Sequence, residues 1–164
     1  MLNTTEIVIF IGLGLVFALG LAVLARWSQI AASRIAAYAL IAIAFLYVGF
    51  ALRADDRSVW LGVEMTGVAI FGSLAGLSII GSPWWVVAGL ALHPLWAISY
   101  HYYGTGSAFT PAPFALANAG FDVAVALYVA FVAWRGAQSS KSAAAPGSKL
   151  AARSQHRGEK GSAE

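Results

Sequence analysis

Apolar stretches long enough to cross a bilayer follow one another along most of the chain. A helix needs roughly 20 apolar residues to span the hydrocarbon core, and only short breaks with charged residues or Gly and Pro interrupt the apolar pattern. The predicted spans are residues 7–25, 35–52, 59–80, 84–102 and 114–134. The pattern therefore predicts an all-α integral membrane bundle of five transmembrane helices.

Composition agrees with a membrane protein. Of the 164 residues, 60% are hydrophobic and only 10% are charged, whereas about a quarter of a soluble domain is charged. The chain has no cysteine, which excludes disulfides and thiolate metal sites. Its basic residues are not spread over a helix face, so we expect the lipid bilayer as partner and no nucleic acid.

The chain divides into two predicted parts. Residues 1–134 form the transmembrane domain. Residues 135–164 are rich in Ser, Ala, Gly and Lys and carry six of the ten Lys and Arg residues. Such a composition cannot bury a core, which predicts a disordered basic cytoplasmic tail.

Basic residues also predict the orientation. They are enriched on the cytoplasmic side of membrane proteins. Arg26 and Arg34 flank the first loop, on the side predicted for the basic tail, whereas the opposite side has Arg53 and Arg57, offset by two aspartates. We therefore expect the N-terminus outside and the C-terminus inside, in a multi-pass protein of the cytoplasmic (inner) membrane.

Three ionisable residues interrupt the apolar spans: Glu64, His93 and Asp122. Such residues are costly in hydrocarbon and by default indicate a functional site. A rise of 1.5 Å per residue places them, with Asn118, roughly 6 to 13 Å below the outer boundary. Asn118 and Asp122 are four residues apart and share a helix face. We therefore predict one polar cluster in the outer half of the bundle.

The fourth span adds candidates to this cluster. His93 and Tyr100 are seven residues apart and would share a face, with Trp96 beside them. His101 lies eight residues from His93, some 80° further round a regular helix. We therefore expect His101 to be an interfacial histidine that cannot join His93 at one metal ion without distortion of the helix.

Several short motifs resemble an uncharacterised family of small bacterial multi-pass membrane proteins, a domain of unknown function. The resemblance covers the region from Phe45 to Val129. The residues that carry it are Leu46-Tyr47-Val48-Gly49-Phe50-Ala51, Glu64, His93-x-x-Trp96 and Phe121-Asp122. The fourth-span pattern of that family is H-x-x-W-D-x-x-H-H. It implies an embedded cluster of His and carboxylate groups, although Ala97 and Tyr100 here replace two of its possible ligands.

Three functional interpretations remain open. The cluster could bind a small ligand or a divalent metal, with Glu64, His93 and Asp122 as metal ligands, and with or without catalysis. It could instead be an interhelical clasp that holds a structural or accessory subunit together. A proton or solute transporter is less favoured, because the inner halves of the spans lack matching polar groups. The spacing HExxH, typical of one class of zinc site, is absent.

Gly72 and Gly76 form a GxxxG pattern in the third span. Small residues at this spacing let helices approach closely. Packing within the bundle is the favoured interpretation, and an interface with a second copy or another membrane protein is the alternative.

Overall fold

A computed structural model describes residues 2–144, and their side chains for residues 2–140. In this part of the chain all regular structure is helical, without a strand. The helices are α1 (Thr4–Ser28), α2 (Ala32–Ala51), α3 (Arg57–Ile80), α4 (Trp84–Trp96) and α5 (Ala112–Ala144), with a π-helical segment (Ala97–Tyr102) after α4 and a 3-10 turn (Thr105–Ala108) before α5.

Four helices are long and apolar enough to cross a membrane. They are Thr4–Ser28, Ala32–Ala51, Arg57–Ile80 and Ala112–Ser140. Large apolar side chains cover their outer faces, and Phe17, Leu19 and Leu127 are each more than 60% exposed. Contiguous apolar surface of this kind is unusual for a soluble monomer. The predicted all-α class and multi-pass membrane character are confirmed.

Polar residues start the helices where the apolar stretches begin. Asn3 and Glu6 form a capping box, each side chain accepting a backbone N–H from the other residue at 2.8–2.9 Å. The carboxylate of Asp56 accepts from the N–H of Val59 at the start of α3. These contacts satisfy some of the donors that a helix start leaves without a partner.

The chain divides into two units, Met1–Ala130 and Phe131–Glu164. In the second unit α5 continues to Ala144, past the predicted end of the fifth span at Trp134, and the Arg135 guanidinium lies 5.2 Å from the ring centre of Phe131. The first residues of the predicted tail are therefore helical. Residues 145–164, the rest of that tail, lie outside the described residues.

The core of the first unit is built on α2. Ala36, Ala37 and Leu40 are fully buried there, as are Ala75 of α3 and Leu90 of α4. Small side chains in this layer let the helices pack closely. The polar cluster lies beyond this layer, toward the ends of α2 and α4 and the beginnings of α3 and α5.

Glycines mediate one close helix contact. A Cβ added at Gly14 of α1 would collide with the backbone of Ala117 in α5, and one at Gly120 of α5 would lie 2.5 Å from the carbonyl oxygen of Ile11. In contrast, a Cβ at Gly72 or Gly76 would meet no atom within 4 Å. The GxxxG pattern therefore does not serve packing inside the described bundle, so that interpretation is wrong. The interface interpretation stays a prediction.

Candidate functional site

His93 and Asp122 form a buried pair between α4 and α5, here named the core pair. Their atoms Nδ1 and Oδ2 are 2.7 Å apart, and both side chains are at most 1% exposed. Asn118, one turn before Asp122, donates from Nδ2 to the same carboxylate oxygen at 2.9 Å. Asn118 and Asp122 thus lie on one face of α5, as their i,i+4 spacing predicted, and this face meets His93.

The core pair leaves one ring nitrogen of His93 available. If Asp122 is ionised, it accepts a hydrogen bond from Nδ1–H of His93. If Asp122 is neutral, its O–H donates a hydrogen bond to Nδ1. In both states Nδ1 is engaged, and Nε2 is the nitrogen that can bind another group. Asn118 Nδ2 also lies 3.2 Å from Nδ1, a contact that is subordinate to the shorter bond with the carboxylate.

His101 and Glu64 form a second buried pair, here named the loop pair. His101 Nε2 lies 3.2 Å from Glu64 Oε1, and the two side chains are 0% and 2% exposed. These two atoms are within ion-pair distance but are not aligned as a hydrogen bond. On the other side of the ring, Nδ1 lies 3.1 Å from the hydroxyl of Thr110, which follows the 3-10 turn. The expectation that His101 is interfacial is therefore wrong.

The π-helical segment explains why His101 faces inward. The N–H of Tyr103 donates to the carbonyl of Ile98 at 3.0 Å, a bond that spans five residues instead of four. Such a turn accommodates one extra residue, so the eight residues from His93 to His101 complete about two turns. From the sequence, His101 could lie on the same side as His93 only if the helix were distorted. The π-helical segment is such a distortion.

The same extra residue turns Tyr100 away from the cluster. Tyr100 is 43% exposed, and its ring packs against Trp96 with centroids 4.7 Å apart. The predicted common face of His93 and Tyr100 is therefore wrong, because regular α-helical spacing ends before residue 100. Trp96 itself packs over Gly67 of α3 and remains at the edge of the cluster, beside Phe71.

Tyr47 of α2 lies between the two pairs. Its ring stacks on His101 with centroids 4.4 Å apart and meets His93 edge-on at 5.7 Å. The side chain is 1% exposed. Tyr47 therefore joins the core pair and the loop pair into one cluster that contacts four helices.

Polar atoms of this cluster are incompletely paired. Five buried side-chain N and O atoms in the described part of the chain lack a hydrogen-bond partner, and four of them belong to the cluster. These four are Tyr47 Oη, Glu64 Oε1, His101 Nε2 and Asp122 Oδ1. The space between Tyr47, Glu64, His93 and Trp96 leaves no room for a water molecule. Since buried polar groups are nearly always paired, the unpaired atoms require an explanation.

The two pairs do not form a three-ligand metal site. Among the residues that the structure describes, no three His, Asp or Glu side chains are grouped so that they could hold a metal ion. Glu64 is paired with His101, whereas His93 is paired with Asp122. The hypothesis of a divalent metal bound by Glu64, His93 and Asp122 gains no support from this geometry.

An apolar groove reaches the core pair from the side. Its cavity has a volume of about 380 Å³ and lies between α1, α2 and α5. The lining residues are Phe17, Ala39, Ala42, Ile43, Phe114, Ala117, Asn118 and Phe121. Asn118, which also contacts both members of the core pair, is the polar residue among them.

No protein-family model, curated protein or solved structure matches the chain. The resemblance to the uncharacterised membrane family stays a prediction.

The sequence analysis left three residues out of the cluster. Tyr47 lies in a motif that carries the family resemblance, and His101 matches the last position of the fourth-span pattern of that family, so both had a signal. Thr110 had no comparable signal, because its position depends on how the loop before α5 folds back onto His101.

Proposed function

We propose that this chain is a five-span protein of the cytoplasmic membrane, with its N-terminus outside and its C-terminus inside. The helical path is unbroken from Trp84 to Tyr102 through α4 and the π-helical segment. This length suffices for a fifth crossing beside the four long helices. The distribution of basic residues supports the orientation.

We further propose that the cluster binds a small polar ligand, or the polar group of a larger one. The observation that carries this proposal is the set of four unpaired buried atoms in the two pairs and Tyr47. In hydrocarbon, water cannot replace the missing partners. Because the enclosed space has no room for a water molecule, the loop pair would have to move apart to admit a bound group. A group with hydrogen-bond donors would then satisfy the free oxygens of Glu64 and Asp122, and Nε2 of His93 is the ring nitrogen available to it.

The alternative is an interhelical clasp in a structural or accessory subunit. It is favoured by the positions of the two pairs, since the core pair connects α4 to α5 and the loop pair connects the end of α4 to α3. A clasp alone gives no reason for the unpaired atoms, because a structural network is stabilising only when it is satisfied. A proton or solute pathway has less support, and catalysis is not part of the proposal.

Ligand analysis of the purified protein tests this function. The wild type is purified in a mild detergent and examined by native mass spectrometry and by metal analysis, beside His93→Gln and Asp122→Asn. Tyr100→Phe is the matched control, because it removes an outward-facing polar atom from the same region. We expect a stoichiometric ligand in the wild type and the control, and its loss in both cluster variants.

The thermal midpoint of each variant distinguishes the two functions. A binding site predicts that ligand is lost from variants whose ligand-free fold melts close to that of the wild type stripped of ligand. An empty wild type, together with cluster variants that only melt earlier, would favour the clasp and contradict the binding site.

A further inference from the structure

The apolar groove between α1, α2 and α5 has the composition of a site for a lipid-soluble molecule. Its volume of about 380 Å³ lies within the range of small-molecule sites, about 300–1,000 Å³. Phe17, Phe114 and Phe121 supply aromatic walls, whereas Ala39 and Ala42 leave the space open. None of the described residues that line the groove is charged, so a charged ligand group would be left without a counter-ion in hydrocarbon.

Asn118 gives this groove one directional polar contact. Its side chain is only 5% exposed and lines the cavity. The hydrogen bonds and contacts found for its amide use Nδ2, directed to Asp122 and His93. The carbonyl oxygen Oδ1 is therefore the atom of Asn118 that can serve a ligand, and it can only accept a hydrogen bond.

We propose that the groove binds a neutral lipid-soluble alcohol taken from the bilayer, with its chain against the aromatic walls and its O–H donating to Asn118 Oδ1. A ketone, quinone or ester is disfavoured, because its carbonyl oxygen would oppose a second acceptor. This inference goes beyond the proposed function, because it requires only the groove and Asn118, the residue that connects the groove to the core pair. Straight-chain and isoprenoid alcohols share the required chemistry.

Photo-crosslinking with matched probes tests the inference. The probes are cetyl alcohol and farnesol, each bearing a diazirine, and the methyl ether of each, which retains the chain but cannot donate. The full-length protein in detergent is labelled at equal probe concentrations, and the labelled peptides are identified by mass spectrometry. One hydrogen bond with a net value of about 1 kcal/mol corresponds to about fivefold stronger labelling by an alcohol than by its ether.

Two variants and one control locate the binding. Ala42→Phe fills the groove from α2 without touching the pairs and should reduce labelling by both alcohols at least about tenfold. Asn118→Leu keeps the volume and should remove the preference for alcohol over ether. Leu127→Phe changes a lipid-exposed residue elsewhere on α5 and should label like the wild type. Stronger labelling by cetyl alcohol would indicate a straight-chain alcohol as the ligand, and stronger labelling by farnesol would indicate an isoprenoid alcohol.

Two results would overturn the inference. The first is equal labelling by alcohols and ethers in the wild type, which would mean that the groove holds only bilayer chains. The second is unchanged labelling in Ala42→Phe. If His93→Gln and Asp122→Asn lose their ligand while Ala42→Phe retains it, the proposed function stands and the groove inference fails. If the groove is labelled with the expected preference in all variants except Ala42→Phe and Asn118→Leu, the groove inference stands without the proposed role of the pairs.

Discussion

The core pair and the loop pair contain the same two chemical groups in different settings. His93 and Asp122 are 2.7 Å apart in a hydrogen bond between two α-helices, and Asn118 supports the carboxylate. His101 Nε2 and Glu64 Oε1 are 3.2 Å apart but are not aligned for a hydrogen bond. His101 lies on the π-helical segment, and Thr110 of the loop before α5 contacts its ring. Regular helices thus produce a short aligned contact, whereas the irregular segment produces a looser one.

This difference indicates which pair stabilises the fold and which can rearrange. When one partner is removed from an aligned buried pair, the other is left without its partner and the fold loses much stability. Removal of one partner from a misaligned contact costs the fold less stability. The π-helical turn that carries His101 is also a type of irregularity that is frequent at functional sites. We expect the core pair to hold the helices and the loop pair to adapt to a bound group.

Removal of Asp122 should have the largest effect on stability. Asp122→Ala leaves His93 and the Asn118 amide buried without their acceptor, and we expect a loss of about 3–5 kcal/mol in the free energy of unfolding. Denaturant unfolding in detergent micelles measures it. The double variant His93→Phe with Asp122→Leu replaces both partners by apolar groups and should be more stable than Asp122→Ala. A double variant that is no more stable than Asp122→Ala would show that the two groups do not act as a pair.

Changing the number of residues in the π-helical segment should have the next largest effect. An alanine inserted after Ser99 rotates His101 away from Glu64 and leaves buried polar groups without partners, at a cost of about 2 kcal/mol. Deletion of Ser99 removes the extra residue instead, so a regular α-helix would again place this histidine inward, seven residues after His93. Thermal unfolding compares the two. Equal losses in both variants would contradict the register explanation.

Glu64→Gln should cost less than either change. The amide keeps the shape of the side chain and one acceptor oxygen, while an N–H donor replaces the other oxygen. Interhelical polar contacts in membranes contribute about 0.6 kcal/mol on average. We expect a loss of about 1 kcal/mol or less, measured as for Asp122. A loss equal to that of Asp122→Ala would remove the distinction between the two pairs.

Tyr47→Phe should have the smallest effect on the ligand-free fold. The ring that contacts both histidines is retained, and the lost hydroxyl has no hydrogen-bond partner among the described residues. We expect a change within about 0.5 kcal/mol, of either sign. If the hydroxyl binds the ligand of the proposed site, the same variant should weaken ligand binding while its thermal midpoint stays near that of the wild type. A large loss of stability would indicate instead that the hydroxyl holds the cluster together.

Hydropathy and helical periodicity were sufficient for the main architecture. The apolar stretches predicted the helices because a bilayer requires long apolar segments whose backbone bonds are satisfied internally. The i,i+4 spacing of Asn118 and Asp122 predicted a shared face, and the structure brings both to His93. These two predictions succeeded because neither depends on how one helix packs against another. The apolar spans follow from the bilayer that surrounds a helix, and the shared face follows from the geometry of one regular helix.

Only the tertiary structure decided which groups complete the cluster. His101 replaces Tyr100 because a π-helical turn adds one residue to the helix, and a sequence pattern based on 3.6 residues per turn does not contain that information. Tyr47 and Thr110 join because α2 and the loop before α5 pack against His101. The GxxxG glycines face open space for a related reason, since the rotation of α3 about its own axis is determined by its neighbours. Local spacing determines a helix face, whereas packing determines what that face meets.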